Sequence, residues 1–194
     1  MKNLQTHRIL IFVGDDYEDL ELWYPKLRLE EAGAATTLAG QKSGVSYRGK
    51  HGYPCISEAA IVDMRSQEFT GVVIVGGWMP DKLRRDGDVL KLVQEFNQAR
   101  KMIASICHGP WINISAGICK GVKMTSTPGI RDDLVNAGAQ WIDAPVVVDG
   151  HVISSRRPPD LPAFGEAIVK YLASQALSEP EAPAPGSSEP RLRA

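Results

Sequence analysis

The sequence predicts an α/β sandwich around a mostly parallel sheet, and two features of the chain lead to this fold class. Short apolar, β-branched runs occur at residues 8–13, 72–75 and 102–106, and such runs are typical of strands buried on both faces. Segments with helical spacing of apolar residues lie between and after them, as in residues 83–100 and 161–172. Strands that alternate with helices favour parallel pairing, with helices covering the sheet.

The remaining elements follow in chain order. The first helix is predicted from Leu20, Trp23, Tyr24 and Leu27, which recur at helical spacing, and Pro25 should kink this helix or loosen its first turns. Shorter elements are predicted as a second strand at 35–39, a hairpin at 42–54, a strand at 123–127, a helix at 130–137 and strand segments at 141–153 with an Asp-Gly turn.

Length and composition set the broad class of the protein. The 194 residues predict one domain over 1–175, and residues 176–194, rich in Pro, Ser and Glu, predict a disordered tail because they offer little to bury. The formal net charge of −1 and the absence of a basic block argue against nucleic-acid or membrane partners. Three widely spaced cysteines, no visible secretory signal and no membrane-length apolar run predict a reducing, cytoplasmic setting without a disulfide framework or a zinc site.

The segment 101–111, K-M-I-A-S-I-C-H-G-P-W, places Cys107 between a strand and a helix. Small residues on both sides and Pro110 at the first helical position predict a strained turn that resembles a nucleophile elbow. A thiol at a helix N-terminus can have a pKa of roughly 3.5–7.5 instead of about 8.5. The alternative is a small, buried, inert cysteine, and His108 beside it is by itself equally compatible with an incidental histidine.

Two further turns should lie at the same edge of the sheet, because ligands of parallel sheets bind at the carboxyl ends of the strands. Gly76 and Gly77 follow a buried strand and would let a backbone N–H face a bound oxygen, although a plain tight turn is the alternative. The first strand is followed by four acids, Asp15, Asp16, Glu18 and Asp19. Helix capping explains one or two of them, and a carboxyl group beside the thiol would act as acid or base.

Several short segments match a known family in the order in which they occur. They are Y-E-D-L-E-L at 17–22, G-K-H-G-Y at 49–53, A-S-I-C-H-G-P at 104–110, G-I-R-D-D at 129–133, N-A-G at 136–138 and V-V-D-G at 147–150. Over residues 8–173 the chain resembles the PfpI-type intracellular proteases. These belong to the ThiJ/PfpI superfamily, which also contains protein deglycases and cofactor-free glyoxalases.

The resemblance implies a flavodoxin-like three-layer sandwich and a set of site residues. It implies Cys107 as nucleophile, His108 as its imidazole partner and Glu18 as the carboxyl group beside the thiol. Gly77 and the backbone of His108 would donate to an oxyanion, and we place Gly76 and Gly109 in the same oxyanion or substrate-binding group. Asp81 would orient His108 from a neighbouring subunit of a homodimer or homohexamer, with the site near the subunit contact. No metal or cofactor is implied.

These residues support more than one function, because fold does not fix function. The first is a stress-related cysteine enzyme that acts on reactive small-molecule carbonyls or their protein adducts, as a glyoxalase or deglycase does. The second is a peptidase or amidase whose Cys-His-acid triad is completed by Asp81 across a subunit interface. The third is a non-enzymatic redox sensor or holdase. A flavodoxin-like binding module is disfavoured because Gly14-Asp15-Asp16 is acidic where a phosphate loop would lie.

Overall fold

The computed structural model describes residues 4–175, so the tail predicted at 176–194 lies outside the described residues. The central sheet has seven strands, and four further strands form two small two-stranded sheets. The strands are β1 Arg8–Phe12, β2 Ala35–Gly40, β3 Ser46–Arg48, β4 Pro54–Ile56, β5 Ala59–Ala60, β6 Gly71–Ile74, β7 Met102–Ile106, β8 Lys123–Met124, β9 Gln140–Trp141, β10 Val146–Asp149 and β11 Val152–Ser155.

Helices cover the sheet, which confirms the predicted flavodoxin-like α/β sandwich. They are α1 Asp19–Glu31, α2 Met79–Leu83, α3 Gly87–Gln98, α4 Pro110–Ser115, α5 Arg131–Asn136 and α6 Leu161–Gln175. The first of them packs against the last, whereas α3 and α4 pack against each other. None of the helices in the described range combines the length and apolar character that a bilayer crossing requires.

The strand order places the candidate site at a switch in the direction of chain winding. The order is β10-β11-β7-β6-β1-β2-β5, with all neighbours parallel except β10 and β11. From β1 the chain moves outward to β2 on one side and returns to β6 on the other. The carboxyl ends of β1 and β6 therefore flank a crevice, which is where ligands bind in sheets of this kind.

Only part of the apolar stripe from which α1 is predicted packs against the core. Leu20 and Leu27 are 59% and 58% exposed, whereas Leu22, Leu29 and Glu21 are buried. The helix also continues through Pro25. The core-facing side of α1 therefore carries an acid, Glu21, toward the sheet.

The other differences from the predicted elements are local. The strand predicted at 123–127 is only Lys123–Met124, and it pairs with Gln140–Trp141 outside the central sheet. The helix predicted from residue 83 begins later, as α3 at Gly87, where the Asp86 side chain accepts from the N–H of Asp88 at 3.0 Å and caps the helix. The predicted hairpin at 42–54 is β3 paired antiparallel with β4.

Asp19, the first residue of α1, fastens the loop at residues 49–53 beside the site. Its carboxylate accepts from the N–H groups of His51 and Tyr53, each at 2.8 Å. A Cβ at Gly49 would lie 2.4 Å from Asp19 Oδ1, so only glycine fits there. The G-K-H-G-Y segment is thereby held against the start of the helix.

Candidate active site

Cys107 lies in the sharp turn between β7 and α4, as the sequence predicts. Its φ is +61°, a left-handed conformation that is uncommon for a residue with a side chain. The N–H of Cys107 donates to the carbonyl oxygen of Ser155 at 3.1 Å, and its own carbonyl oxygen accepts from the N–H of Thr127 at 3.2 Å. Neighbouring segments on both sides therefore hold the strained turn in place.

Gly109 permits the close approach of strand and helix at this turn. A Cβ here would lie 2.4 Å from the carbonyl oxygen of Ile74 and 2.9 Å from that of Ile106. The N–H of Gly109 donates to Ile106 at 2.8 Å and is therefore occupied. We predicted an oxyanion or substrate-binding role for Gly109; the structure gives it a packing role instead.

The two glycines after β6 have different roles. The N–H groups of His108 and of Gly77, a residue with a φ of +80°, interact with the Cys107 sulfur, and their action on a substrate oxyanion stays a prediction. The N–H of Gly76 instead donates to Glu21 Oε2 at 2.8 Å. Gly76 therefore positions a carboxyl group, and the direct oxyanion role predicted for it is corrected.

The carboxyl group next to the thiol belongs to Glu21. Its side chain is fully buried, and burial raises its pKa to about 8, with the charge of Glu18 acting in the same direction and the Gly76 N–H opposing it. The carboxyl group and the Cys107 thiol each influence the pKa of the other. Oε1 of Glu21 has no hydrogen-bond partner among residues 4–175. At neutral pH the carboxyl group is therefore mostly protonated, and it lies close enough to the Cys107 thiol to interact with it.

Glu18, which we predicted beside the thiol, occupies a different place. Its carboxylate lies 3.5 Å from His51 Nε2 and 3.7 Å from Lys50 Nζ, at the loop that Asp19 holds. Glu18 is the residue that precedes α1, and Glu21 lies one turn further along. The correction follows from this geometry, because the second acid and not the first projects toward the Gly76 end of β6.

His108 is the imidazole in contact with the thiol. Its Nδ1 lies 3.2 Å from Cys107 Sγ. Burial lowers the pKa of His108, and the positive charge of Lys50 lowers it further. The ring is therefore neutral at neutral pH and able to accept a proton.

The predicted decrease in the thiol pKa is wrong in direction. Burial raises the pKa of Cys107, Glu21 raises it further once it is ionised, and the N–H groups of Gly77 and His108 oppose this only in part. The helix behind the thiol, α4, has six residues and adds little. The resting group is therefore a thiol, which requires a neighbouring base to become a nucleophile.

Asp81 lies in α2, close behind the two glycines, and is partly exposed. Its carboxylate pairs with Arg85 one turn later. The contact expected from Asp81 to His108 is one between subunits, so it stays a prediction. Among residues 4–175 no three His, Cys, Asp or Glu side chains gather where they could share a metal ion.

The fold and the site together define an α/β protein with a thiol on a strained strand-to-helix turn, an imidazole in contact with it and a buried acid behind it. The chain belongs to the DJ-1/PfpI family, whose sequence profile matches residues 7–171. It is 44% identical over 165 residues to "Deglycase PYRAB04690" of Pyrococcus abyssi, which covers 85% of this chain and 99% of the relative. It is 42% identical over the same length to "Deglycase PfpI" of Pyrococcus furiosus, again with 85% and 99% coverage.

Solved structures agree with this assignment. A two-domain protein of Anabaena variabilis, with DJ-1/ThiJ/PfpI-like and ferritin-like domains, superposes with a TM-score of 0.84 at 35% identity over 86% of this chain and 48% of that one. DJ-1beta of Drosophila melanogaster gives a TM-score of 0.81 at 26% identity, covering 86% of this chain and 90% of its own. The predicted family and fold are thereby confirmed.

Proposed function

We propose that this protein is a cysteine-dependent enzyme that converts reactive 2-oxoaldehydes, or their adducts on protein amines, to 2-hydroxy acids. The observation that carries the proposal is the protonated Glu21 carboxyl group, with a pKa of about 8, next to the Cys107 thiol. A thiol peptidase has no need of a buried proton donor behind its sulfur, whereas aldehyde chemistry requires several proton transfers at one centre. Relatives named as deglycases at 44% and 42% identity support the same class of reaction.

The first step is addition of the thiol to the aldehyde carbon. The proton of Cys107 passes to His108 Nδ1, 3.2 Å away, as the new C–S bond forms. When the substrate is the adduct of the aldehyde with a protein amine, the sulfur attacks the same carbon and the amine leaves, taking up a proton. Negative charge that develops on sulfur and then on the former aldehyde oxygen is stabilised by the N–H groups of Gly77 and His108.

The later steps move protons and consume one water. A proton leaves the former aldehyde carbon and another is delivered to the neighbouring carbonyl carbon, which turns the hemithioacetal into a thioester of the 2-hydroxy acid. Glu21 and His108 are the groups in place to carry these protons. Hydrolysis of the thioester releases the 2-hydroxy acid and restores the thiol. The overall reaction therefore converts one 2-oxoaldehyde and one water to one 2-hydroxy acid.

The test is turnover of methylglyoxal without added glutathione by the wild type and three variants. Turnover should fall by about 10³-fold in Cys107→Ser and by about 10²–10⁴-fold in Glu21→Gln. Glu18→Gln removes a carboxylate one turn away that contacts Lys50 and His51, so it should retain most of the turnover. Full activity in Cys107→Ser would overturn the proposal, and equal losses in both glutamate variants would overturn the role of Glu21.

The second candidate is amide hydrolysis, and the 3.2 Å contact between Cys107 Sγ and His108 Nδ1 favours it, because this pair is the core of a thiol peptidase site. It requires a homo-oligomer in which Asp81 of one subunit approaches His108 of another. Asp81→Asn should then abolish cleavage of a chromogenic peptide and spare methylglyoxal turnover. A holdase role would instead survive in Cys107→Ser as protection of other proteins against aggregation.

A further inference from the structure

Three aromatic rings form a continuous surface beside the thiol, here called the aromatic wall: Trp78, His108 and Trp111. The His108 ring centroid lies 5.5 Å from that of Trp78 and 4.9 Å from that of Trp111, with interplanar angles of 40° and 50°. Because His108 touches the Cys107 sulfur, the wall begins at the reacting atom. Trp78 also directly follows Gly77, one of the two N–H donors.

The two tryptophans are held differently. Trp111 is fixed at both ends, since its Nε1 donates to Asp133 Oδ2 at 2.8 Å and the Arg84 guanidinium lies 5.6 Å from its ring centroid. Trp78 is 54% exposed although it is a large apolar ring next to a reactive centre. An exposed tryptophan in this place offers surface that a bound molecule would cover.

The charges around the wall indicate what kind of group it takes. A guanidinium already lies against Trp111, and Lys50 is near enough to His108 to influence its titration. The acids at this edge are engaged: Asp16 is 2.6 Å from Lys82 Nζ, Asp81 pairs with Arg85, and Glu18 contacts Lys50. The Arg84 guanidinium and Lys50 therefore disfavour a cationic substituent, whereas a neutral aryl or alkyl group can pack on the ring faces without opposing a charge.

We propose that the aromatic wall binds the substituent of the 2-oxoaldehyde and makes the enzyme selective for aryl and longer alkyl substituents over methyl. This inference rests on the proposed aldehyde chemistry and adds the specificity-determining residues Trp78 and Trp111. The substituent is attached to the carbon next to the one that Cys107 attacks, so it lies within reach of the rings that flank His108. Stacking on a tryptophan then favours the larger substrate in kcat/KM.

The experiment compares kcat/KM for phenylglyoxal and methylglyoxal, which share the dicarbonyl and differ in the substituent. Trp78→Ala and Trp111→Ala should each lower the phenyl-to-methyl ratio by about three- to ten-fold, and Trp78→Phe should retain it. Tyr53→Ala is the matched control, since Tyr53 is an exposed aromatic residue that packs on Trp23 outside the wall, and its ratio should equal that of the wild type. Equal loss with both substrates would show that the tryptophans only position His108 and would overturn the inference.

A second measurement does not depend on turnover. N-Phenylmaleimide and N-methylmaleimide add to thiols by the same reaction, and mass spectrometry of the Cys107 peptide gives the rate of each. The wild type should favour the phenyl reagent, and Trp78→Ala should lose this preference by a similar factor. If the protein shows a Trp78-dependent preference for the phenyl reagent but no aldehyde turnover, the proposed function is refuted and substituent binding by the aromatic wall is supported. If turnover depends on Cys107 but Trp78→Ala changes neither the substrate ratio nor the reagent ratio, only the role of the aromatic wall is refuted.

Discussion

Replacing Glu21 with Gln should change how the stability of the protein depends on pH. The carboxyl group is fully buried, and its pKa rises from 4.5 to about 8 on folding. Between these two values the folded chain keeps a proton that the unfolded chain has released. The wild type is therefore at its most stable, with respect to this group, below about pH 4.5, and loses that stability as the pH rises through about 8.

The magnitude follows from the same two values. Each pH unit inside the window costs the wild type up to about 1.4 kcal/mol of unfolding free energy, and the whole window up to about 5 kcal/mol. Glutamine has no charge to acquire, and its amide oxygen can still accept from the Gly76 N–H. The stability of Glu21→Gln relative to the wild type should therefore increase from about pH 5 to about pH 8.

The assay is urea unfolding of both proteins at a series of pH values, with the difference in free energy plotted against pH. The same pair on a Cys107→Ala background assigns the slope to the carboxyl group and not to the thiol. Infrared difference spectra should show the C=O stretch of a protonated carboxylic acid in the wild type at neutral pH and its loss in Glu21→Gln. A pH-independent difference would refute the assignment of a neutral Glu21, and with it the proton donor in the mechanism.

Two substitutions test the conformation of the turns at Gly77 and Cys107, and a pH profile tests the role of His108. Gly77→Ala places a Cβ 2.2 Å from the Asp16 carbonyl oxygen at a φ of +80°, so thermal unfolding should show a loss of about 1–3 kcal/mol and turnover should fall with the displaced N–H. Cys107→Gly should be more stable than Cys107→Ala by about 1 kcal/mol in urea unfolding, because glycine accepts the φ of +61° without strain. The pH profile of kcat/KM should fall on its acid side at a pH below the ordinary histidine pKa, because burial lowers the pKa of His108 and protonation of the ring removes the base. An acid-side fall above the ordinary histidine pKa would contradict the role of His108 as the base.

Much of the fold was predictable because its strands are buried on both faces. The runs at residues 8–13, 72–75 and 102–106 correspond to β1, β6 and β7, which lie side by side in the centre of the sheet. Strand pairing at the margin was not predictable in the same way. Lys123–Met124 and Gln140–Trp141 are two residues each and pair with one another, and such short segments have too few side chains to carry a pattern.

The turns that contain Gly77 and Cys107 were predictable because their conformation depends on a few adjacent residues. A glycine at a φ of +80° and a cysteine between a strand and Pro110 are properties of a few adjacent residues. The pKa of the thiol, in contrast, does not depend on adjacent residues alone. It depends on how deeply the end of β7 is buried and on the carboxyl group of Glu21, which lies 86 positions before Cys107 in the chain. A helix N-terminus alone therefore predicted the wrong direction.

The acid was misassigned because the matching segment at residues 17–22 contains both Glu18 and Glu21, and the resemblance was carried over to Glu18. Apolar spacing does not decide between the two acids, because Leu20 and Leu27 do not face the core. The structure exposes both leucines and buries Glu21, against the hydrophobic preference of all three side chains. Burying an acid costs free energy that the fold must offset elsewhere, so such an inversion points to a group retained for its proton and not for stability. The stabilisation expected of Glu21→Gln at high pH and its expected loss of turnover are two consequences of this one inverted face.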